Sequence, residues 1–308
     1  MLIDRLIRKI TELEAPIVVG LDPRLEQIPV YMREAALAKH GHTPAAVGEM
    51  FLAFNRGIID AVCDIVPAVK PQIAMYEQFG VPGLEAYFQT VAYAKAKGLV
   101  VIGDIKRGDI ASTAEAYGNA HIGRADIFGT QVEIAQTDFI TVNAYMGSDS
   151  VEPYLADCKN YDKGLFILVK TSNKGSKDVQ DLMTDQGEMV YAHVGQLVER
   201  WGASLRGESG YSNIGAVVGA THPREAVVLR RKMPHTFFLV PGYGAQGGSG
   251  KDLQGLWGKN YGAIVNNSRG ITGAYQTEKY ACDEKDFAKA SRQAVLDMKA
   301  DLAAYISI

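Results

Sequence analysis

The sequence has few cysteines and no strong excess of charge of either sign. Its three cysteines, Cys63, Cys158 and Cys282, lie far apart and form no CxxC pair, which argues against a zinc site or a disulfide framework. The formal net charge is −3 over 308 residues, so no basic field is available for a nucleic-acid backbone. These features predict reduced thiols in a cytoplasmic protein that does not bind nucleic acid.

Long apolar runs are missing as well. No stretch is long enough to cross a bilayer, and the amphipathic, charged segment MLIDRLIRKITELEAP does not have the pattern of a signal peptide. Linkers rich in proline or serine, low-complexity tracts and charge blocks are also absent. The sequence therefore predicts no membrane association and a single domain over residues 1–308.

The chain does contain repeated β–α units. Short, mostly apolar runs are each followed by a polar or glycine-rich turn and then, in most cases, by a helical pattern, as expected for parallel strands covered on both faces. The predicted strands are 16–22, 65–70, 98–106, 138–143, 164–170, 213–220, 236–242 and 262–267. The predicted helices include 44–64, 82–97, 111–135, 186–203, 223–232 and 283–305. Because no antiparallel hairpin pattern interrupts the repeats, we predict an α/β fold, a (β/α)8 TIM barrel, rather than an open doubly wound sheet.

Polar and charged residues accumulate where the predicted strands end. In a (β/α)8 barrel the active site lies at the carboxyl ends of the strands, so this edge is the predicted site. The long segment 171–212 after the fifth strand is typical of a lid or binding element. The residues at the strand ends are Asp22, Lys70, Asp104, Lys106, Asn143, Lys170 to Asn173, the Gly242 loop and Asn266 to Arg269.

The glycine-rich stretch PGYGAQGGSGKD, residues 241–252, predicts a phosphate site. It fits neither a dinucleotide fingerprint, which needs an acidic residue about 20 positions later, nor a P-loop, because Asp252 follows Lys251 where Ser or Thr is required. Loops after strands seven and eight commonly hold phosphate in such barrels, and here they offer Gln246 and Arg269. The alternative is a glycine-rich surface loop beside a solvated arginine.

The stretch VIGDIKRGDIASTAEAY brings charges of both signs to one strand end. Asp104 and Lys106 are two residues apart and share a strand face, Asp109 follows past Gly108, and Lys70 ends the neighbouring strand. An alternating Lys–Asp–Lys–Asp array at the barrel mouth would keep Lys106 protonated as a general acid. A solvated salt-bridge cluster would use the same residues.

The segment DIKRGDIAST resembles the DxKxxDIxxT signature of orotidine 5′-monophosphate decarboxylases. The length and the KTSN motif resemble the longer bacterial branch of that family. Each further motif matches at a predicted strand end. In chain order these motifs are VGLDPR, VKPQIAMYEQFG, TVNAYMG, LVKTSN, VGATHP, PGYGAQGG and NNSRGI.

The resemblance implies a cofactor-free and metal-free decarboxylation of orotidine 5′-monophosphate to UMP and CO2. It implies that Asp22 and Lys70 hold the ribose hydroxyls and that Lys70 also joins the charged network. Asp104 would lie beside the C6 carboxylate of the substrate. Lys106 would stabilise the developing carbanion and protonate C6.

The resemblance also implies a homodimer with shared active sites. Asp109 and Thr113 would reach across the interface into the site of the neighbouring subunit. Ser172 would contact the pyrimidine edge, and Pro241 would line the base pocket.

The resemblance further implies that Gln246 and Arg269 bind the phosphate group of the substrate. Shorter relatives have a glycine just before this arginine, whereas this chain has NNSRG, so the contacts around Arg269 differ from theirs. The strand-five loop also differs in length, and contacts beyond Ser172 do not transfer.

Two other functions remain open on the sequence. A related sugar-phosphate decarboxylase shares the Asp-x-Lys-x-x-Asp pattern but uses magnesium, and it would need a further carboxylate where Lys70 places a cation. A non-catalytic barrel that binds a phosphorylated metabolite would have no reason to keep Lys106 between two acids.

Overall fold

The computed structural model describes residues 1–244 and 248–306, and within them the strands form a closed barrel with a small separate hairpin. The barrel order is β1-β10-β9-β8-β7-β6-β3-β2, and every neighbouring pair is parallel. This confirms the predicted (β/α)8 barrel. The strands are β1 (Ile17–Leu21), β2 (Ala68–Pro71), β3 (Val100–Arg107), β4 (Ala125–Ile127), β5 (Thr130–Val132), β6 (Phe139–Val142), β7 (Gly164–Lys170), β8 (Ile214–Val218), β9 (Phe238–Val240) and β10 (Ala263–Asn267).

Helices cover the outside of the barrel. After β9 a 3-10 helix, Gly250–Leu256, takes the place of an α-helix. The α-helices are α1 (Leu2–Leu13), α2 (Val30–His40), α3 (Pro44–Val62), α4 (Ile73–Glu77), α5 (Gly80–Ala96), α6 (Ala111–His121), α7 (Glu152–Tyr161), α8 (Lys177–Gln180), α9 (Val190–Trp201), α10 (Pro223–Lys232), α11 (Arg269–Thr272) and α12 (Phe287–Ala303).

The predicted helix over 111–135 and the expected lack of a hairpin are both wrong. The helix ends at His121, and β4 and β5 form an antiparallel hairpin after it. Phe128 and Gly129 make the turn with φ of 50° and 90°, a backbone that a two-residue hairpin requires. The short turn that ends in Gly129 before the β-branched Thr130 was the available signal.

The amino end of the barrel is closed by α1. Its apolar face, which includes Leu2, Ile3 and Leu6, is buried in one cluster with the barrel interior. The α1 backbone is held there by side chains, since the Ile3 N–H donates to Asn213 Oδ1 at 2.9 Å. The carboxyl ends of the strands therefore form the open end of the barrel.

The carboxyl ends approach one another closely. A Cβ on Gly20 of β1 would lie 1.8 Å from Ser268 Oγ, so only glycine lets the segment after β10 pack against β1. In the part of the chain that the structure describes, no helix is long and apolar enough to span a membrane.

Candidate active site

The centre of the site is a buried carboxylate, Asp104 on β3, held by three donors. Lys70 Nζ from β2 lies 2.7 Å from Asp104 Oδ2, and Lys106 Nζ lies 2.6 Å from Oδ1. The hydroxyl of Thr141 on β6 donates to Oδ1 at 2.9 Å. Asp22, just after β1, lies 3.9 Å from Lys70 Nζ. Four strand ends thus contribute to one network.

Mutual stabilisation of charge keeps this network ionised. Burial by itself would raise the pKa of Asp104, but the neighbouring Lys70 and Lys106 hold it far below its usual range. Burial by itself would lower the pKa of Lys70, but Asp104 and Asp22 reverse the effect and raise it. At neutral pH the buried carboxylate and the buried ammonium are therefore both charged.

Lys106 is more accessible than its partners and has an unusual backbone. Its side chain is 46% exposed, so its ammonium faces the open end of the barrel. The register of β3 against β6 shifts between Gly103 and Arg107, and Lys106 itself has a φ of 46°. Its N–H donates to Thr141 Oγ1 at 2.9 Å. A bulge of this kind re-aims a side chain at a functional site at a cost in backbone strain.

Asp109 and Thr113 do not join this network within one chain. The Asp109 carboxylate accepts a hydrogen bond from the N–H of Ile110 at 2.8 Å, and Thr113 is exposed on the first turn of α6. Within residues 1–244 and 248–306, no hydrogen bond or ion pair joins Asp109 to Lys106. Within a single chain Asp104 alone pairs with both lysines. The alternating array of four charges, with Asp109 supplied by a neighbouring subunit, stays a prediction.

Two neighbouring cavities meet at this centre. The larger one, of about 500 Å³, extends from Asp104 and Lys106 toward α9. Its walls are mostly apolar, and Ser172 and Pro241 belong to them. The apolar lining residues include Leu168, Val190, Tyr191, Val194, Val217 and Leu239.

The second cavity, of about 340 Å³, is polar and lies toward β1 and β10. Asp22, Asn266 and the exposed Arg269 line it. Asp22 Oδ1 and Asn266 Oδ1 are buried acceptors without a hydrogen-bond partner among the described residues. Unpaired acceptors beside a cationic side chain suit a ligand with hydroxyl donors and an anionic group. Gln246, expected to bind the anion as well, lies outside the described residues.

The segment after β7 is held over the larger cavity by its own polar contacts. Lys170 is fully buried and pairs with Asp181, and its Nζ lies 5.3 Å from the centroid of the Tyr191 ring. Gln180 accepts from the Thr171 N–H at 3.0 Å and donates to Thr171 Oγ1 at 2.8 Å. These contacts join Lys170 and Thr171, the two residues before Ser172, to the end of α8 and the residue after it.

Sequence reasoning missed two parts of this arrangement. Thr141 was not singled out because it lies within a mostly apolar predicted strand. A polar residue in such a strand could have indicated a buried hydrogen-bonding role. Asp181 gave no signal, because its pairing with Lys170 depends on how the chain folds back. No group of three or more His, Cys, Asp or Glu side chains in the described part of the chain could hold a metal ion.

The chain is similar to known decarboxylases over nearly its whole length. A model of the orotidine 5′-phosphate decarboxylase / HUMPS family matches residues 16–282. An orotidine 5′-phosphate decarboxylase of Clostridium novyi is 44% identical over 302 residues, which is 98% of each chain. One from Petrotoga mobilis is 42% identical over 303 residues, again 98% of each chain. The structure of Leishmania donovani OMP decarboxylase gives a TM-score of 0.69 at 28% identity and covers 97% of this chain and 98% of that one.

Proposed function

This chain belongs to the orotidine 5′-phosphate decarboxylase / HUMPS family, and we propose that its Lys70–Asp104–Lys106 centre performs the decarboxylation without a cofactor. The reaction converts orotidine 5′-monophosphate to UMP and CO2, a carbon–carbon lyase step of pyrimidine biosynthesis. The observation that carries the proposal is a carboxylate fixed between two lysines at the mouth of a closed barrel.

The chemistry calls for fixed charges rather than an electron sink. When the bond between C6 and the carboxylate carbon breaks, the electron pair stays on C6 in the plane of the ring, where the π system stabilises it little. The Lys106 ammonium stabilises this pair and then donates its proton to C6, and the amine regains a proton from water. The most proficient enzymes lower the activation barrier of their reaction by about 20 kcal/mol relative to the uncatalysed reaction. Preorganised charge is usually the largest single contribution to this lowering.

The Asp104 carboxylate is held in one orientation and cannot rotate away from a bound substrate. Lys70, Lys106 and Thr141 fix both of its oxygens. Beside the C6 carboxylate of the substrate, it would oppose that charge in the ground state and favour its departure as neutral CO2. It would also hold the Lys106 ammonium next to C6.

The polar cavity suits the ribose and the phosphate. The unpaired Asp22 Oδ1 would accept a hydrogen bond from a ribose hydroxyl, and Lys70 would donate one. Arg269 would pair with the phosphate, together with Gln246. Binding energy from these remote groups would be used to lower the barrier at C6.

The apolar cavity suits the pyrimidine ring. Ser172 would form hydrogen bonds to the ring edge, and Pro241 would pack on its face, since both line this cavity next to Lys106. Closure of the segment after β7 over the bound ring would exclude water from the carbanion.

The magnesium-dependent alternative is disfavoured by Lys70. Its Nζ lies 2.7 Å from Asp104 and 3.9 Å from Asp22, so a cation occupies the position at which that alternative would need a further carboxylate. A non-catalytic barrel is disfavoured because binding a phosphorylated ligand would not require a buried carboxylate fixed between two lysines.

The direct test follows orotidine 5′-monophosphate by its ultraviolet absorbance, with and without EDTA. We expect turnover that EDTA does not change. Absence of turnover would refute the activity, and loss of turnover in EDTA would refute the cofactor-free mechanism.

A variant tests the proton donor. Lys106→Ala should lower kcat by several orders of magnitude, about 10³-fold or more, because both charge stabilisation and protonation are lost. Lys289→Ala on the exposed face of α12 is the matched control and should leave kcat unchanged. Retained activity in Lys106→Ala would assign the proton to another residue.

The active enzyme is, in our proposal, a homodimer in the cytoplasm. Asp109 and Thr113 would complete the site of the partner subunit, which agrees with the exposure of Thr113 and the absence of an Asp109–Lys106 contact within the described chain. The three cysteines are unpaired, as expected in a reducing compartment.

Mixing two inactive variants tests the shared site. A dimer of one Lys106→Ala and one Asp109→Ala subunit has one intact site if Asp109 acts across the interface, so an equal mixture should regain about a quarter of wild-type activity. If Asp109 acts within its own chain, no mixture recovers activity.

A further inference from the structure

One carboxylate on the last helix joins both sides of the glycine-rich loop. Asp301 lies in the last turn of α12, and its Oδ2 accepts a hydrogen bond from Tyr243 Oη at 2.6 Å. The same oxygen accepts from the N–H of Gly250 at 2.9 Å. Tyr243 precedes residues 245–247 and Gly250 follows them, so one oxygen connects the two sides of the loop.

The backbone around these contacts is closely defined. Gly242 and Gly244, on either side of Tyr243, have φ of 102° and 69°, which only glycine adopts readily. The Gly244 N–H donates to the Gly248 carbonyl at 2.8 Å and closes the base of the loop. A Cβ on Gly250 would lie 2.9 Å from the Asp301 carbonyl, so the loop packs directly on the helix.

The tyrosine donates in this arrangement. Burial and the neighbouring carboxylate raise the pKa of Tyr243 well above its ordinary value, so its hydroxyl keeps its proton at neutral pH. Loss of the Asp301 carboxylate would leave this half-buried hydroxyl and the buried N–H of Gly250 without their acceptor.

The residues at the base of the loop also form part of the wall of the polar cavity. Gly242 and Tyr243 line it together with Arg269 and Asp22. Asp301 itself does not line this cavity, so it acts on a ligand there only through the loop.

We propose that Asp301 is a positioning residue for phosphate binding, which it serves by fixing the base of the glycine-rich loop, residues 242–244 and 248–250, against α12. The proposal rests on the proposed function, because the loop is where the substrate phosphate would bind. Its specific consequence is that Asp301 matters for substrates that carry the phosphate and not for those that lack it.

The experiment compares orotidine 5′-monophosphate with orotidine, which lacks the phosphate. Asp301→Ala should lower kcat/KM for the phosphorylated substrate by about tenfold to a hundredfold, mainly through KM, because a displaced loop loses phosphate contacts. Its kcat/KM for orotidine should stay within about twofold of wild type. Asp301→Asn, whose side-chain oxygen can still accept both hydrogen bonds, should recover most of the loss.

Two further variants separate positioning from folding. Asp297→Ala removes a carboxylate one turn earlier on α12, which accepts from Tyr280 Oη at 2.9 Å, and should leave the ratio between the two substrates unchanged. Tyr243→Phe removes only one of the two hydrogen bonds and should give a loss of a few fold, again confined to the phosphorylated substrate. Equal losses on both substrates in Asp301→Ala and Tyr243→Phe would overturn the proposal.

A binding measurement distinguishes failure of this proposal from failure of the proposed function. Wild type that does not turn over orotidine 5′-monophosphate refutes the function. Titration with UMP still tests Asp301, since Asp301→Ala should raise the Kd for UMP about tenfold and Asp301→Asn should not. An unchanged Kd in Asp301→Ala refutes the positioning role.

Discussion

At the scale of single residues, Thr141 connects the two halves of the charged centre. Its hydroxyl donates to Asp104 and accepts from the backbone N–H of Lys106, which lies at a bulge with positive φ. One side chain thus stabilises both the carboxylate and the strained backbone beside it. The effect on catalysis would be exerted through Asp104 and Lys106.

We predict that Thr141→Val lowers kcat for orotidine 5′-monophosphate about tenfold to a hundredfold while KM changes little, because a small displacement of Lys106 weakens protonation more than binding. Thr141→Ser keeps the hydroxyl and should retain most of the activity. Steady-state kinetics on the three proteins measures the effect. A change in KM alone would show that Thr141 serves binding instead.

At the scale of elements, the segment after β7 is positioned by an ion pair at its base. Lys170 ends β7 without exposure to solvent, and Asp181 follows α8 and is partly exposed. Breaking a pair with one buried member leaves an uncompensated charge, which costs more than removing both charges together.

We predict that Asp181→Ala lowers the free energy of unfolding by about 2–4 kcal/mol, since the Lys170 ammonium stays buried without its partner. The double variant with Lys170→Met should be more stable than Asp181→Ala alone, because methionine keeps the apolar stem and removes the charge. Urea unfolding of the single and double variants measures both. A double variant less stable than Asp181→Ala would contradict the role of the buried charge.

At the scale of the whole molecule, the two ends of the barrel serve different purposes. The charged centre lies at the carboxyl ends of the strands, while α1 closes the amino ends and adds to the core. At the closed end Asp4 accepts hydrogen bonds from the N–H groups of Ser209 and Glu208, at 2.9 and 3.2 Å. These contacts join α1 to the segment before β8.

The contacts of Asp4 make the free energy of unfolding depend on pH. Burial by itself would raise the pKa of Asp4, but its hydrogen bonds lower it to about 2 from an ordinary value of 3.8. A carboxyl with a depressed pKa in the folded state contributes stability that is complete above its unfolded pKa and is lost as the pH falls through the folded value.

We predict that Asp4→Asn lowers the free energy of unfolding at pH 7 by on the order of 2 kcal/mol, and that the difference from wild type shrinks between about pH 4 and pH 2. Glu12→Gln, on the exposed side of the same helix, is the control and should change little. Urea unfolding at several pH values measures the effect. A difference that stays constant down to pH 2 would contradict it.

The sequence by itself determined the barrel, the end of the barrel at which the candidate site lies and most of the charged residues that meet there. These follow from local patterns, because apolar runs and the polar residues that end them are properties of short segments. Tertiary structure alone decided which charges meet. Asp104 lies between two lysines, whereas the Asp109 carboxylate accepts a hydrogen bond from the N–H of Ile110. Thr141 supports a bulge, Asp181 pairs with Lys170, and Asp301 accepts from Tyr243. The physical reason is that pairing across strands depends on register and burial, which exist only once the barrel has closed.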